Sequence, residues 1–155
     1  MKADLKKQLP CYAAKHGRYD ILEVPPLEAL WWSDGWAAFT TAYDESKWLS
    51  TALILLPEWI IDDMVEAARV KCATKVAPDT LTKVRVDVVK EGLCGQTLHV
   101  GSYDNEGPTV AALHDAIADA GLELAGKHHE IYLSDIRRTA PEKLKTILRQ
   151  QVRRP

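Results

Sequence analysis

Two side chains on one short run could work together chemically. Glu130 and Tyr132 stand two positions apart in His128-His-Glu-Ile-Tyr-Leu133, where they alternate with the apolar Ile131 and Leu133. Period-two alternation reads as a strand and sets acid and phenol on one face. Ile131 and Leu133 are the core residues in this reading, so Glu130 and Tyr132 are expected to point away from whichever face helices cover. A carboxyl on an interior strand among aromatic rings has its neutral form favoured by desolvation, which suits a general acid or base. Its ionised form would attract a cation. His128 falls on the same face as Glu130 and is a neighbour able to tune it, whereas His129 falls with Ile131.

Indole is the second resource. All five tryptophans, Trp31, Trp32, Trp36, Trp48 and Trp59, lie between positions 31 and 59, and the only phenylalanine is Phe39. A flat indole with one N–H suits gripping planar or cationic ligands as well as packing, so the cluster points to an aromatic ligand more strongly than any member does. Leu27-Glu-Ala-Leu-Trp-Trp32 reads as an extended run after Pro25-Pro26, with Glu28, Leu30 and Trp32 on one face and Leu27, Ala29 and Trp31 on the other. Glu28 is therefore a second candidate carboxyl, and Trp31, Trp32 and Trp48 are candidate ligand contacts.

These residues need elements to hold them. Residues 1–19 are polar and aperiodic and read as a helical turn and lead-in loop. Lys47 to Leu56 reads as a strand whose apolar second half implies burial on both faces. Ile61, Val65, Ala68 and Cys72 recur at helical spacing behind Asp62 and Asp63, with Cys72 on the buried stripe. Val84–Val89 and Leu93–Val100 read as two strands joined by a hairpin at Lys90-Glu-Gly92. Pro108 to Gly121 opens with proline and closes with glycine around Val110, Leu113, Ile117 and Ala120, a helix. His128–Leu133 and Leu144–Val152 follow as strands. From Leu93 the order is thus strand, helix, strand, strand, and an α+β domain is expected: an antiparallel sheet with helices on one face. The chain is expected to form one domain over 1–155, with a first unit at 20–83 and a second at 84–155.

Composition excludes several classes. At 155 residues, 46% apolar and 27% charged, the chain can bury a sizeable core, so disorder and fibres are excluded. A net charge of −2 gives no general attraction to nucleic acid. The basic end, with Arg137, Arg138, Lys143, Lys145, Arg149, Arg153 and Arg154 against Glu142, lacks stacking aromatics and belongs mostly to a strand, so no nucleic-acid partner is expected. The apolar run Thr51–Leu56 stops at Pro57 and Glu58, and the charged start lacks a secretory hydrophobic region. No membrane partner is therefore expected, and the location expected is cytoplasmic. Cys11, Cys72 and Cys94 are odd in number and widely spaced, consistent with reduced thiols. None of the Cys or His residues has the C-x-x-C or H-x-x-x-H spacing that presents two donors to one ion, and Gly92, Gly95, Gly101 and Gly107 make no phosphate loop, so no metal or cofactor is expected.

Three runs carry a resemblance: Pro25-Pro-Leu-Glu-Ala-Leu-Trp-Trp32, Leu98-His-Val-Gly-Ser-Tyr103 ahead of a helix, and Gly126-Lys-His-His-Glu-Ile-Tyr-Leu-Ser-Asp135 with Arg137 to Arg149. Together they resemble the GyrI-like small-molecule-binding family over about residues 20–152. The resemblance implies tandem strand-helix-strand-strand units around a ligand cleft. It also implies a glutamate meeting cationic lipophilic drugs at Glu130, and Tyr103 among the ligand contacts. Stand-alone members are implied to hydrolyse the strained cyclopropane of cyclopropanoid DNA-alkylating compounds. In such a reaction Tyr132 or Glu130 could be the acid, Glu28 or Glu130 the base, and Trp31 and Trp32 the stacking walls. The rival reading is a drug-binding or sequestering module without turnover. Longer members carry a further strand and helix before the Pro-Pro-Leu-Glu strand, so the first unit is expected to be incomplete and shielded by a homodimer or a rearranged N-terminus.

Overall fold

The structure, a computed structural model, describes residues 24–33 and 48–155. The lead-in segment 1–19, Trp36 and Phe39 lie outside the described residues. The described residues divide into two compact units, one within Pro26–Ile54 and Lys90–Pro155, the other within Leu55–Val89.

The first of these units holds a five-stranded sheet built from β1 (Leu27–Trp32), β2 (Leu49–Ile54), β3 (Cys94–Val100), β4 (Glu123–Tyr132) and β5 (Lys145–Arg153). Its order is β2-β1-β4-β5-β3 and every neighbouring pair is antiparallel, in agreement with the expected α+β class. From Cys94 onward the elements run strand, helix, strand, strand, as the periodicity predicts.

One helix covers part of one sheet face. In this unit Gly107–Asp119 is helical, with Pro108 in its first turn, where a missing N–H costs nothing. Its buried stripe of Val110, Leu113 and Ile117 packs on Leu148, which is 0% exposed, and on Val152. Gly95 on β3 permits the close approach, because a Cβ there would sit 2.9 Å from Ile117 Cγ1.

In register, Glu130 faces Leu148 and Tyr132 faces Thr146 across the β4–β5 pair. Directly paired residues share a face, so Glu130 and Tyr132 lie on the helix-bearing side with Leu148. The expectation that they point away from the helix is therefore wrong. Ile131, although buried, belongs to the opposite face with Ile147 and Glu28. Both faces of β4 are covered, so burial of Ile131 does not identify the helix side. A register shift between Leu124 and His128 marks an irregularity in β4, and Gly126 within it has φ +62.

Two other expectations fail. The apolar half of the expected 47–56 strand is not buried on both faces: Ala52 and Leu55 are exposed, Leu55 by 65%, and β2 lies at the sheet edge. Residues 84–89 form no strand, and the hairpin at 90–92 is absent. Val88 is 76% exposed, and β-branched residues favour a strand only where a neighbouring strand packs against them.

In the second unit, α1 (Asp62–Cys72) carries Asp62 and Asp63 in its first turn and Arg69 and Lys71 in its last, complementing the helix dipole, and buries Ala68 and Cys72 as the spacing predicts. The short α2 (Pro78–Leu81) follows, and the Arg69 guanidinium donates to the carbonyls of Leu81 and Val84. The helix Gly107–Asp119 is α3. Among the described residues no helix is long and apolar enough to cross a membrane.

Candidate functional site

The site grows from the β1–β4 pairing. Ala29 faces Glu130 and Trp31 faces His128, so Trp31, His128, Glu130 and Tyr132 share one face. There the Tyr132 hydroxyl donates to Glu130 Oε2 at 2.5 Å, and Trp31 Nε1–H donates to the Tyr132 oxygen at 3.2 Å. Indole, phenol and carboxylate thus form one directed chain ending on the acid. Trp48 meets Trp31 edge-on at 5.9 Å between ring centroids, and Tyr103 meets Tyr132 edge-on at 5.5 Å. His128 Nε2 lies 3.8 Å from Glu130 Oε1 and is almost wholly buried.

A second carboxyl arrives from elsewhere. Tyr103–Asn105 forms a single 3-10 turn, and Glu106 follows as the N-cap residue of α3, only 8% exposed. His99 on β3 braces this segment, with Nδ1 2.9 Å from Thr109 Oγ1 and Nε2 3.2 Å from the Ser102 carbonyl. Burial, reinforced by the charge of Glu130, pushes the Glu106 carboxyl up to about 8, against the opposing pull of Thr146. Glu130 is also raised, by burial, but Tyr132, Trp31 and the charge of His129 act to hold it down. Burial and the Glu130 charge push the Tyr132 phenol up, so it keeps its proton. Burial, with the His114 imidazole nearby, lowers His128 to about 4 and keeps it neutral at physiological pH. Burial raises Tyr103, helped by the charges of Glu106, Glu130 and Asp135.

The arrangement therefore pairs a carboxyl that is neutral at pH 7 with a second one tied by a phenol, between aromatic rings. A carboxyl held neutral by burial beside one that accepts a phenol hydrogen bond is material for an acid and a base.

Two of the sequence candidates lie elsewhere. Glu28 is on the opposite face, where its Oε2 is 2.8 Å from His129 Nε2. His129 Nδ1 is in turn 2.8 Å from Glu91 Oε1, and Arg149 donates to Glu91 Oε2 at 2.9 Å. Burial pushes the Glu91 carboxyl up, but the bonds from His129 and Arg149 outweigh it and leave the group below its ordinary range. Trp32 also occupies that face, with the Lys127 ammonium 3.4 Å from its ring centroid. Adjacent strand residues cannot wall the same cleft, so Trp31 and Trp32 do not act together. Trp31, Trp48, Tyr103, His128, Glu130 and Tyr132 are brought together. Glu106, which sequence reasoning missed, joins them. Its only sequence signal is an acid directly before Gly107-Pro108 at a helix start, a position where carboxylates are common for capping alone.

The match to known proteins is specific. The model of the GyrI-like small molecule binding domain covers residues 54–152 of this chain. The chain belongs to the GyrI-like family. Three solved structures from Listeria innocua share its fold and about a third of its residues. One, an uncharacterized conserved protein, is 32% identical with a TM-score of 0.80, covering 97% of this chain and 76% of its own. Another is a hydrolase, 32% identical with a TM-score of 0.70, covering 98% of this chain and 74% of its own. A third, also a hydrolase, is 33% identical with a TM-score of 0.71 over the same shares. A search of curated proteins finds no match. As a GyrI-like domain the chain is a small-molecule-binding module. Among the described residues no group of three or more His, Cys, Asp or Glu is arranged to hold a metal ion.

Proposed function

We propose that this GyrI-like domain binds planar aromatic molecules and hydrolyses the strained cyclopropane of cyclopropanoid genotoxins. The observation that carries the reading is the unequal carboxyl pair: Glu106, neutral at pH 7 through burial, beside Glu130, which accepts the Tyr132 hydroxyl. The two hydrolases among the similar structures support the reaction class.

The chemistry follows from the two roles. In a cyclopropane fused to a dienone, Glu106 gives its proton to the carbonyl oxygen. Water attacks the ring methylene, the strained C–C bond breaks, and its electron pair moves into the ring to form a phenol. Glu130 takes the proton that the attacking water loses. One water is added overall, as H on oxygen and OH on carbon. A single positioned acid or base contributes roughly 10²–10⁴-fold, and ring strain supplies much of the remaining drive. Tyr132 holds Glu130 and does not itself supply the acid, since its proton is committed to the carboxylate. Trp31 and Tyr103 offer the flat faces for the substrate. Glu28 has no part in this mechanism.

Incubation of the purified protein with a cyclopropanoid, followed by chromatography, tests the proposal. Many ring-opened products per protein support it, and their absence with Glu130→Gln assigns the base. Stoichiometric capture without product identifies the sequestering module instead, a reading favoured by a buried carboxylate among aromatic rings, the arrangement that suits a lipophilic cation. We also propose that the protein works in the cytoplasm as a homodimer, since β2 is an edge strand of Leu-Ser-Thr-Ala-Leu-Ile without a guarding charge among the described residues.

A further inference from the structure

Thr146 is wholly buried on β5, and its hydroxyl oxygen meets no partner in standard hydrogen-bond geometry among the described residues. The same is true of Glu106 Oε1, which is sealed from solvent and meets no partner in standard geometry. Buried polar atoms in folded proteins are almost always satisfied, so each orphan needs a destination. The neighbours of Thr146 narrow the choice. Across one strand pair stands Tyr132, whose hydroxyl is committed to Glu130 and Trp31. Across the other stands His99, both of whose ring nitrogens are engaged, with Thr109 and Ser102. Glu106 remains, and Thr146 is the side chain that draws it toward ionisation against burial and Glu130.

We propose that Thr146 is a positioning residue whose hydroxyl donates to Glu106 Oε1, fixing the acid proton on Oε2 and so making Glu106 a hydrogen-bond donor to a neutral carbonyl acceptor on the ligand. The inference rests on the acid role given to Glu106 above. A carboxylic acid accepts readily through its carbonyl-type oxygen and donates through the other. A donor held against Oε1 therefore selects which oxygen carries the proton. With Oε1 held as the acceptor, Oε2 is the oxygen that carries the proton. The titratable groups around it are Glu130, Tyr103 and Tyr132, the last two holding their protons. The arrangement is the same in kind as other enzyme sites where a neutral carboxylic acid polarises a carbonyl. It implies that the ligand presents a ketone or dienone oxygen at this point, not a cationic nitrogen.

The test uses the full chain and two readouts. First, carbon-13 NMR of the Glu106 carboxyl, assigned with Glu106→Gln, follows its titration in the wild type, Thr146→Val and Thr146→Ser. Loss of the hydroxyl moves the midpoint upward in Thr146→Val, and Thr146→Ser returns it. An unchanged midpoint in Thr146→Val overturns the proposal. Second, fluorenone is compared with fluorene, which lacks the carbonyl. The wild type and Thr146→Ser prefer the ketone by about tenfold, the worth of one neutral hydrogen bond, and Thr146→Val loses that preference. An equal preference in Thr146→Val overturns the proposal. If Thr146→Val does not fold cooperatively, Thr146→Ala takes its place in the same titration, where an upward midpoint supports the proposal and an unchanged one overturns it. Neither readout needs turnover. A protein that passes both but leaves cyclopropanoids intact refutes the hydrolysis reading alone. One that turns over but fails either readout refutes the Thr146 assignment alone.

Discussion

Tyr132 donates its hydroxyl to Glu130 from two positions further along the same strand, at 2.5 Å. Side chains at this spacing stand side by side on one sheet face, so the contact needs no tertiary adjustment beyond rotamer choice. It is the local core of the site, and Glu106 is what the fold adds.

Replacing Tyr132 with Phe removes the donor that holds the Glu130 carboxyl down against burial, so that carboxyl rises further. A base that must be ionised is then lost over more of the pH range. Turnover is expected to fall by roughly 10²-fold at neutral pH, with the acid limb of the rate profile moving upward. A pH–rate profile of Tyr132→Phe whose acid limb matches the wild type would show that Tyr132 does not tune Glu130.

Glu106 also predicts a pH-dependent stability. Its folded value of about 8 lies above the ordinary carboxyl value of 4.5, so between those limits the folded state binds more protons than the unfolded state. Stability linked to this group is therefore intact below about pH 4.5 and lost as pH rises through 8. The full difference corresponds to about 5 kcal/mol, which solvent screening of this partly accessible group reduces to roughly 3 kcal/mol. Thermal melts from pH 5 to 9 should show this decline flattened in Glu106→Gln, while turnover in that variant collapses because the donated proton is gone.

Buried charge on the opposite face gives a contrasting pair. His129→Ala strips both Glu28 and Glu91 of a partner at 2.8 Å and should destabilise the fold by about 2–4 kcal/mol in urea titrations. Glu28→Gln keeps a hydrogen-bonding group in place and should leave turnover within about twofold, because a substitution that neither touches the substrate nor unfolds the chain has little effect on the chemistry. A large loss of kcat in Glu28→Gln with the fold intact would return Glu28 to the mechanism.

Gly126 tests the β4 irregularity. At φ +62 an alanine is strained by about 1–2 kcal/mol, and its Cβ would lie 1.5 Å from Gln151 Oε1, an end of a side chain that can swing aside. Gly126→Ala should lower the urea midpoint by that amount without changing the slope. A stability equal to wild type would mean the backbone there relaxes freely.

Much of this architecture is legible in the residues. Alternation placed β1 at 27–32 and put Glu130 with Tyr132 and His128, while the Pro108-to-Gly121 stripe marked α3. These features are short-range: strand period two and helical period 3.6 are properties of neighbouring residues. The Val84–Val89 run and the apolar half of β2 misled for one reason, that apolar β-branched sequence records affinity for a sheet but not whether a strand arrives on each side.

What the sequence by itself determined was relative facing: which side chains of a strand go together, and that an acid, a phenol and an indole were available to meet. Only the tertiary structure decided which face received α3, and hence that Ile131 and Glu28 lie behind the site while Glu106 and Thr146 lie within it. Alternation is symmetric under exchange of the two faces, and the choice between them is made by helix packing and by strand pairing across some hundred residues of chain, as between Trp31 and Tyr132.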